Sequence, residues 1–305
     1  MGSGFLKLGD FQKLLDDNPW VKEVELSNYG EIFLNPDLLN IIEYAHRHKV
    51  TLIANNGVNL NNVKEEVLES LVKYKFRSMT CSIDGASNNT YKIYRVRGYF
   101  ETVIDNIRKI NSFKKKYQSK FPYLKWQFVV FGHNEHEIPL ARKLARELGM
   151  SFRLKLSWDP AFSPPRDQEI LRKHLGAASR QEYKQKRGLD YAQTTCHLLW
   201  DQPQINWDGK LLGCCRNFWG DFGKNVFAEG LLKSINNEKI TYARDMLLGK
   251  KTARDDIPCT TCSIYLGMEK DGKWLQRGLP FLAYRTLRFF YRTLRLHHFY
   301  QRISH

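Results

Sequence analysis

Residues 51–83, TLIANNGVNLNNVKEEVLESLVKYKFRSMTCSI, contain the pattern that decides the fold. Residues 51–55 and 78–83 are short apolar runs, whereas residues 63–74 repeat apolar side chains at the spacing of a helix. A strand, a helix and a second strand in this order predict a βαβ unit. Its two strands lie parallel because the helix returns the chain to the starting edge of the sheet.

The same alternation continues on both sides of this unit, and it predicts an α/β fold built around a parallel sheet. The predicted strands are residues 21–27, 51–55, 78–83, 125–131 and 152–158, and the predicted helices are residues 37–49, 63–74, 100–117 and 135–148.

Polar, glycine-bearing segments follow the first three predicted strands, at 28–31 (NYGE), 55–57 (NNG) and 82–85 (SIDG). Taken singly, each is ordinary loop chemistry, because Gly and Asn are favoured where the backbone turns. Together they predict one pocket, since the carboxyl ends of parallel strands meet at one edge of a sheet. Four further candidates lie near later strand ends, although each has common structural uses: His133, His136, Lys155 and Trp158.

Four cysteines, spaced C-x17-C-x44-C-x2-C, predict a metal centre in the C-terminal half: Cys196, Cys214, Cys259 and Cys262. Four thiolates can bind either an iron–sulfur cluster or a structural zinc ion, so the ligand set alone leaves both open. Cys214 is preferred to Cys215 because neighbouring residues rarely point their side chains the same way. Cys81 lies within a predicted strand and is expected to be a small core residue.

Composition places few limits on function. The chain has 305 residues and a formal net charge of +16, which favours polyanionic partners without choosing among them. We identify neither a signal peptide nor a spanning segment and therefore expect a cytoplasmic protein with reduced cysteines.

The segments at the strand ends resemble the radical S-adenosylmethionine enzymes that carry a C-terminal SPASM-type auxiliary cluster domain. Residues 82–87 (SIDGAS), followed by Arg95, Gly98 and Phe100, carry this resemblance best. Residues 29–37 (YGEIFLNPD) are similar to the family's Gly-Gly-Glu motif, with Tyr29 at the first Gly. The resemblance implies that Glu31 binds the methionyl amino group and that Ser82 and Arg95 contact the ribose or carboxylate. The implied cofactor-binding residues are Gly30, Glu31, Asn56, Ser82, Asp84 and Arg95.

The cysteine segment resembles a SPASM or shortened twitch domain. This resemblance implies that Cys196, Cys214, Cys259 and Cys262 fully ligate one auxiliary [4Fe–4S] cluster.

One departure from the family is the absence of the Cys-x-x-x-Cys-x-x-Cys loop that follows the first barrel strand, since no cysteine precedes Cys81. We therefore expect a partial (β/α)6 barrel lacking its first strand. We expect this chain to bind S-adenosylmethionine weakly or not at all, and to be inactive alone in its reductive cleavage. A full-length parent would be an oxidoreductase or maturase of a peptide or small molecule, supplied with electrons by a reductant protein. The alternatives are a non-catalytic iron–sulfur electron-transfer or substrate-binding protein, and a basic peripheral protein with structural zinc.

Four regions are expected: a partial barrel at 1–165, a helical linker at 166–190, a SPASM-like domain at 191–270 and a basic tail at 271–305. In the tail, residues 284–288 (YRTLR) recur as residues 291–295. A basic, aromatic helix over 281–305 suits an anionic surface such as the inner membrane, or docking on the barrel. RNA binding is a third option, but no nucleic-acid motif accompanies it.

Overall fold

The computed structural model describes residues 2–188, 191 and 196–275 of the chain. These residues divide into two compact units. The described residues of Met1–Ala192, Ile205–Lys210 and Asn225–Ser234 form the first unit, and those of Gln193–Gln204, Leu211–Lys224 and Ile235–His305 form the second. The predicted region limits at 165, 190 and 270 stay predictions, and the proposed tail helix at 281–305 lies outside the described residues.

Strands and helices alternate through the first unit as the sequence predicts. The strands are β1 Glu23–Glu25, β2 Thr51–Val58, β3 Ser78–Ser82, β4 Tyr123–Val130 and β5 Ser151–Leu156. The helices in chain order are α1 Leu8–Asp16, α2 Leu38–Arg47, α3 Glu65–Lys73, α4 Asn88–Tyr94, α5 Phe100–Lys116, α6 Ile138–Glu147, α7 Gln168–Leu175, α8 Arg180–Arg187, α9 Leu198–Asp201, α10 Val226–Glu229, α11 Leu231–Ser234, α12 Glu238–Leu247 and α13 Ser263–Lys270. Short 3₁₀ turns occur at Ile32–Leu34, Glu135–Glu137 and Pro258–Thr261.

The five strands form one parallel sheet in the order β1-β2-β3-β4-β5. This confirms the predicted α/β class and the parallel sheet. Each strand is hydrogen-bonded to the next strand in the sequence, so every crossover runs in the same direction along the sheet.

One face of this sheet carries the hydrophobic core. Side chains alternate between faces along a strand, and on β4 the residues Leu124, Trp126, Phe128 and Val130 are buried. They belong to a core that includes the apolar faces of α2, α3, α5 and α6. The Trp126 indole Nε1–H donates to the Ile83 carbonyl oxygen at 2.7 Å, so its one polar atom is satisfied inside the core.

Among the elements that differ from the prediction, three shape the carboxyl edge of the sheet. Strand β1 is shorter than residues 21–27, because the Glu25 carboxylate accepts hydrogen bonds from the Ser27 N–H and hydroxyl and fixes a turn there. Strand β2 extends to Val58 through an irregularity between Ala54 and Val58. Helix α4 was not predicted. It is a short helix that begins at the Ser87 N-cap, where the hydroxyl accepts from the Thr90 N–H at 3.4 Å.

The second unit is built from α9, α12, α13 and long connecting loops. Helix α12 begins at Asn237, whose side chain accepts from the Ile240 N–H, and it buries Ile240, Ala243, Met246 and Leu247. None of the helices that the structure describes is long and apolar enough to span a bilayer.

Candidate functional site

The polar residues predicted at the strand ends lie at the carboxyl edge of the sheet. Ser82 ends β3, Asp84 follows it, and Glu31 lies in the connection after β1. Asn56 lies within the irregular end of β2, and its side chain is exposed. Arg95 reaches this edge from the C-terminus of α4, where its backbone N–H donates to the Tyr91 carbonyl oxygen at 2.9 Å.

Asp84 and Arg95 form an ion pair at the centre of this edge. The Asp84 side chain is fully buried, whereas the Arg95 side chain is 26% exposed. Asp84 Oδ2 accepts from Arg95 Nε at 2.8 Å and from Nη2 at 2.6 Å, and Oδ1 accepts from the Val129 N–H at 2.7 Å. Burial raises the pKa of Asp84, and the Arg95 guanidinium opposes that rise. The Asp84 carboxylate therefore fixes the Arg95 guanidinium, and part of the Arg95 side chain remains exposed to solvent.

Glu31 is held by the backbone on both sides of its carboxylate. It precedes the 3₁₀ turn at Ile32–Leu34, and its Oε1 accepts from the Phe33 N–H at 3.2 Å. Its Oε2 accepts from the Asn59 N–H at 2.6 Å. Burial raises the pKa of Glu31, while these backbone donors and the Arg95 charge lower it. A cationic ligand here would oppose the effect of burial on the pKa of Glu31, because an opposite charge favours the ionised carboxylate.

Two glycines shape the loops around this carboxylate. Gly30 has φ +78° and open space around it, a left-handed conformation that glycine adopts without strain. Gly57 has φ +133°, and an added Cβ would lie 2.7 Å from Ser82 Oγ. The irregular end of β2 therefore runs against Ser82 and holds Asn56 outside the regular ladder, with its N–H donating to Ser27 Oγ at 3.1 Å.

Sequence reasoning missed the buried Glu137, which holds the loop between β3 and α4. Its carboxylate accepts from the Ala86 N–H and the Ser87 hydroxyl, both at 2.6 Å, and from the Thr90 hydroxyl. The sequence gives little indication of this role. Glu137 is one of two glutamates in a 3₁₀ turn that lies far along the chain from that loop. His133, a sequence candidate, hydrogen-bonds Ser163 Oγ at 2.8 Å and stacks on Phe131.

A second candidate centre lies in the second unit, where Cys196, Cys214, Cys259 and Cys262 line one small cavity with Trp219 and Tyr265. Cys215 is partly exposed and does not line it. Burial, together with the neighbouring thiols, raises the pKa of Cys196 to about 12. The same two causes raise the pKa of Cys259.

The loops around these cysteines are held by side-chain hydrogen bonds. Asn217 Nδ2 donates to the carbonyl oxygens of Leu212 and Gly220 at 2.7 and 2.9 Å, which fixes the turn after Cys214. Trp219 Nε1 donates to the Pro258 carbonyl oxygen at 2.9 Å, beside Cys259. Among the described residues, no three His, Cys, Asp or Glu side chains are arranged to hold a single metal ion. The four thiols share a cavity and provide the donor set that soft metals prefer.

A family model described as the Radical SAM superfamily matches residues 10–141, so this segment is similar to a radical SAM domain. It covers β1 to β4 and the residues of the carboxyl edge from Glu31 to Arg95. A comparison with curated proteins gives no match.

Solved structures of radical SAM enzymes share the fold. SuiB of Streptococcus suis bound to S-adenosylmethionine is 14% identical with a TM-score of 0.56, over 87% of this chain and 65% of that one. SuiB bound to the precursor peptide SuiA is 13% identical with a TM-score of 0.58, over 88% of this chain and 64% of that one. A histidine-tagged anSMEcpe with bound AdoMet is 14% identical with a TM-score of 0.57, over 86% of this chain and 76% of that one. The chain thus spans 65% of the length of the first SuiB structure.

Proposed function

We propose, from the match of residues 10–141 to the radical SAM family model, that this chain binds S-adenosylmethionine at the carboxyl edge of its sheet as part of a peptide-modifying enzyme. The observation that carries the proposal is the arrangement of Glu31 and the Asp84–Arg95 pair within that segment. A methionine zwitterion needs an anion for its ammonium and a cation for its carboxylate. Glu31 and the open face of Arg95 are such a pair.

Each residue of the edge then has a defined role. The Glu31 carboxylate accepts from the ammonium, and its backbone donors keep it fixed. Asp84 is a positioning residue, because it orients the Arg95 guanidinium toward the carboxylate of the ligand. Ser82 lies against Gly57 and provides a hydroxyl for the ribose or carboxylate. Gly30 and Asn56 form the rim of the pocket.

We further propose that Cys196, Cys214, Cys259 and Cys262 ligate an auxiliary [4Fe–4S] cluster in a SPASM-like unit. A cluster bound there would supply one-electron transfer. The protein's part is to bring four thiols together from three segments of the chain and to bury three of these cysteines. A Cys₄ zinc site remains the alternative, because the same donors bind zinc.

The peptide substrate is supported by SuiB, which has been crystallised with its precursor peptide and has the same fold. No cysteine precedes Cys81 in the sequence, so we expect this chain alone to bind S-adenosylmethionine weakly and not to cleave it. We also propose that the sheet is part of a partial (β/α)6 barrel and that a reductant protein supplies electrons to the full-length enzyme.

Equilibrium dialysis with radiolabelled S-adenosylmethionine tests the proposed function. Glu31→Gln keeps the shape of the side chain but removes the charge, and we expect about tenfold weaker binding from the loss of one charge-assisted hydrogen bond. Glu66→Gln, on the exposed surface of α3, is the matched control and keeps the wild-type affinity. No binding by the wild type, or equal affinity in Glu31→Gln, would contradict the proposal.

A further inference from the structure

The face of the sheet opposite the hydrophobic core is polar. Besides Tyr123 and Val129, this second face carries polar side chains along β3, β4 and β5, among them Thr80, Ser82, Lys125, Gln127, Arg153 and Lys155. Parallel sheets usually bury apolar side chains on both faces. We call these six residues the polar sheet face. A polar second face on a parallel sheet is the arrangement expected where a ligand, and not a second layer of core, covers the strands.

Three cations lie on this polar sheet face. Lys125 and Lys155 are half-buried and Arg153 is exposed. Gln127 of β4 pairs in register with Arg153 of β5, and Val129 pairs with Lys155, so the cations occupy successive levels along two neighbouring strands. Burial lowers the pKa of both lysines, and the Arg153 charge lowers each of them further. The Arg153 charge is therefore close enough to each of the two lysines to repel it.

No carboxylate in the part of the chain that the structure describes forms a direct ion pair with these three cations. Lys125 and Arg153 make no ion pair or hydrogen bond there, and Lys155 Nζ contacts only Gln127 Oε1, at 3.4 Å. Half-buried cations that repel each other cost folding free energy. An anionic ligand that pairs with these cations would offset this cost.

The cationic cluster begins beside the proposed cofactor site. Val129, the register partner of Lys155, donates its N–H to Asp84 Oδ1 at 2.7 Å. The Asp84 charge raises the pKa of Lys155 and so lies within electrostatic reach of it. A ligand held by Lys155 and Arg153 would thus have one end next to the Asp84–Arg95 pair.

We propose that Lys125, Arg153 and Lys155 bind carboxylates of an acidic peptide substrate lying along β4 and β5. The inference rests on the proposed function and specifies its substrate. Arg153 and Lys155 are two residues apart on one strand, which separates them by about 6.6 Å. Acidic residues at alternate positions of an extended peptide have the same separation, whereas one small anion cannot reach all three cations.

Fluorescence anisotropy tests this with two fluorescein-labelled octapeptides, one alternating Gly and Glu and the other alternating Gly and Gln, at a salt concentration of about 150 mM, where surface charges are largely screened. We expect the Glu peptide to bind the wild type at least about tenfold more tightly than the Gln peptide. Arg153→Gln and Lys155→Gln should each weaken binding of the Glu peptide by about tenfold. Lys143→Gln, an exposed position on α6, is the control and should change nothing.

Equal affinity of the two peptides would overturn the proposal, because the carboxylates would then contribute nothing to binding. Unchanged affinity of Arg153→Gln and Lys155→Gln would also overturn it, and would assign binding of the Glu peptide to the general +16 charge. Displacement of the Glu peptide by glutarate at equal carboxylate concentration would also overturn it, in favour of a small-anion site. The melting temperatures of the variants should be unchanged or higher, because repulsion is relieved. S-adenosylmethionine dialysis on the same samples separates the two claims, since Arg153→Gln should keep the affinity for it.

Discussion

Asp84 is a fully buried carboxylate whose Arg95 partner is partly exposed. The pair combines structural and binding functions, because the buried end fixes the cation and the exposed end can meet a ligand. Removing one partner of such a pair leaves an uncompensated charge inside the protein, which costs more than the pair itself contributes.

Replacing Arg95 by Met should therefore lower the free energy of unfolding by about 3 kcal/mol, measured by urea denaturation at pH 7. Arg108→Met is the control, because Arg108 pairs with Asp105 at an exposed site where both side chains are more than half exposed, and it should leave stability nearly unchanged. Burial already raises the pKa of Asp84, and loss of Arg95 raises it further. The deficit should shrink as the pH falls, because Asp84 then takes up a proton in the folded state. A deficit that grows toward acid pH would contradict this assignment of the charges.

A second residue-scale prediction concerns the close approach of β2 to Ser82. Gly57→Ala forces a residue with a Cβ into φ +133° and within 2.7 Å of Ser82 Oγ, so we expect a loss of about 2 kcal/mol in stability. Gly9→Ala in α1, where an added Cβ meets nothing within 4 Å, should instead stabilise slightly, because Ala is the better helix former. Thermal unfolding of the two variants distinguishes them, and equal melting temperatures would count against the close approach.

At the scale of elements, the sequence predicted five strands and the structure has five in its described sheet, in the same order. The spacing of apolar residues was enough to predict these strands, because the core face of each strand and helix is apolar. The irregular end of β2 was not foreseen, since it depends on how β2 meets β3 in space. Helix α4 was missed because it is fixed by the Ser87 cap and by Glu137, which is 50 residues away from Ser87 in the sequence.

The candidate site was predictable to a similar extent. Glu31, Ser82, Asp84 and Arg95 were chosen from the sequence, and the structure brings Asp84 and Arg95 into direct contact. That contact could not be derived from spacing, because the two residues lie on different elements. The cationic cluster on β4 and β5 was equally hidden, since its members are charged residues in strands and become neighbours only through the parallel register.

Helix α5 carries a testable burial effect. Lys114 is half-buried on α5, and burial lowers its pKa to about 8. Its charge therefore costs stability at pH 7, and Lys114→Met should raise the free energy of unfolding by about 1 kcal/mol after allowance for solvent screening. Above pH 8 the folded wild type loses this proton before the unfolded chain does, so wild-type stability rises with pH up to about 10.5. The advantage of the variant should shrink over that range in urea titrations, and a constant advantage would argue against a titrating Lys114.

At the scale of the whole molecule, the chain contains a segment that matches the radical SAM family model and a separate cysteine centre. Anaerobic purification followed by iron, sulfide and zinc analysis tests the second part. We expect about four irons and four sulfides per chain, lost in the Cys259→Ala/Cys262→Ala variant. Cys215→Ser is the matched control and should keep its iron, because Cys215 does not line the cavity. One zinc and no iron would replace the cluster by a structural Cys₄ site.

The central claim is that the carboxyl edge of the sheet recognises the amino-acid end of S-adenosylmethionine. Titration calorimetry with S-adenosylmethionine and with methylthioadenosine, which lacks that end, tests it most directly. The account predicts that the wild type binds S-adenosylmethionine at least about tenfold more tightly, and that Glu31→Gln loses most of this preference. Equal affinity of the wild type for both ligands, or an unchanged preference in Glu31→Gln, would contradict it.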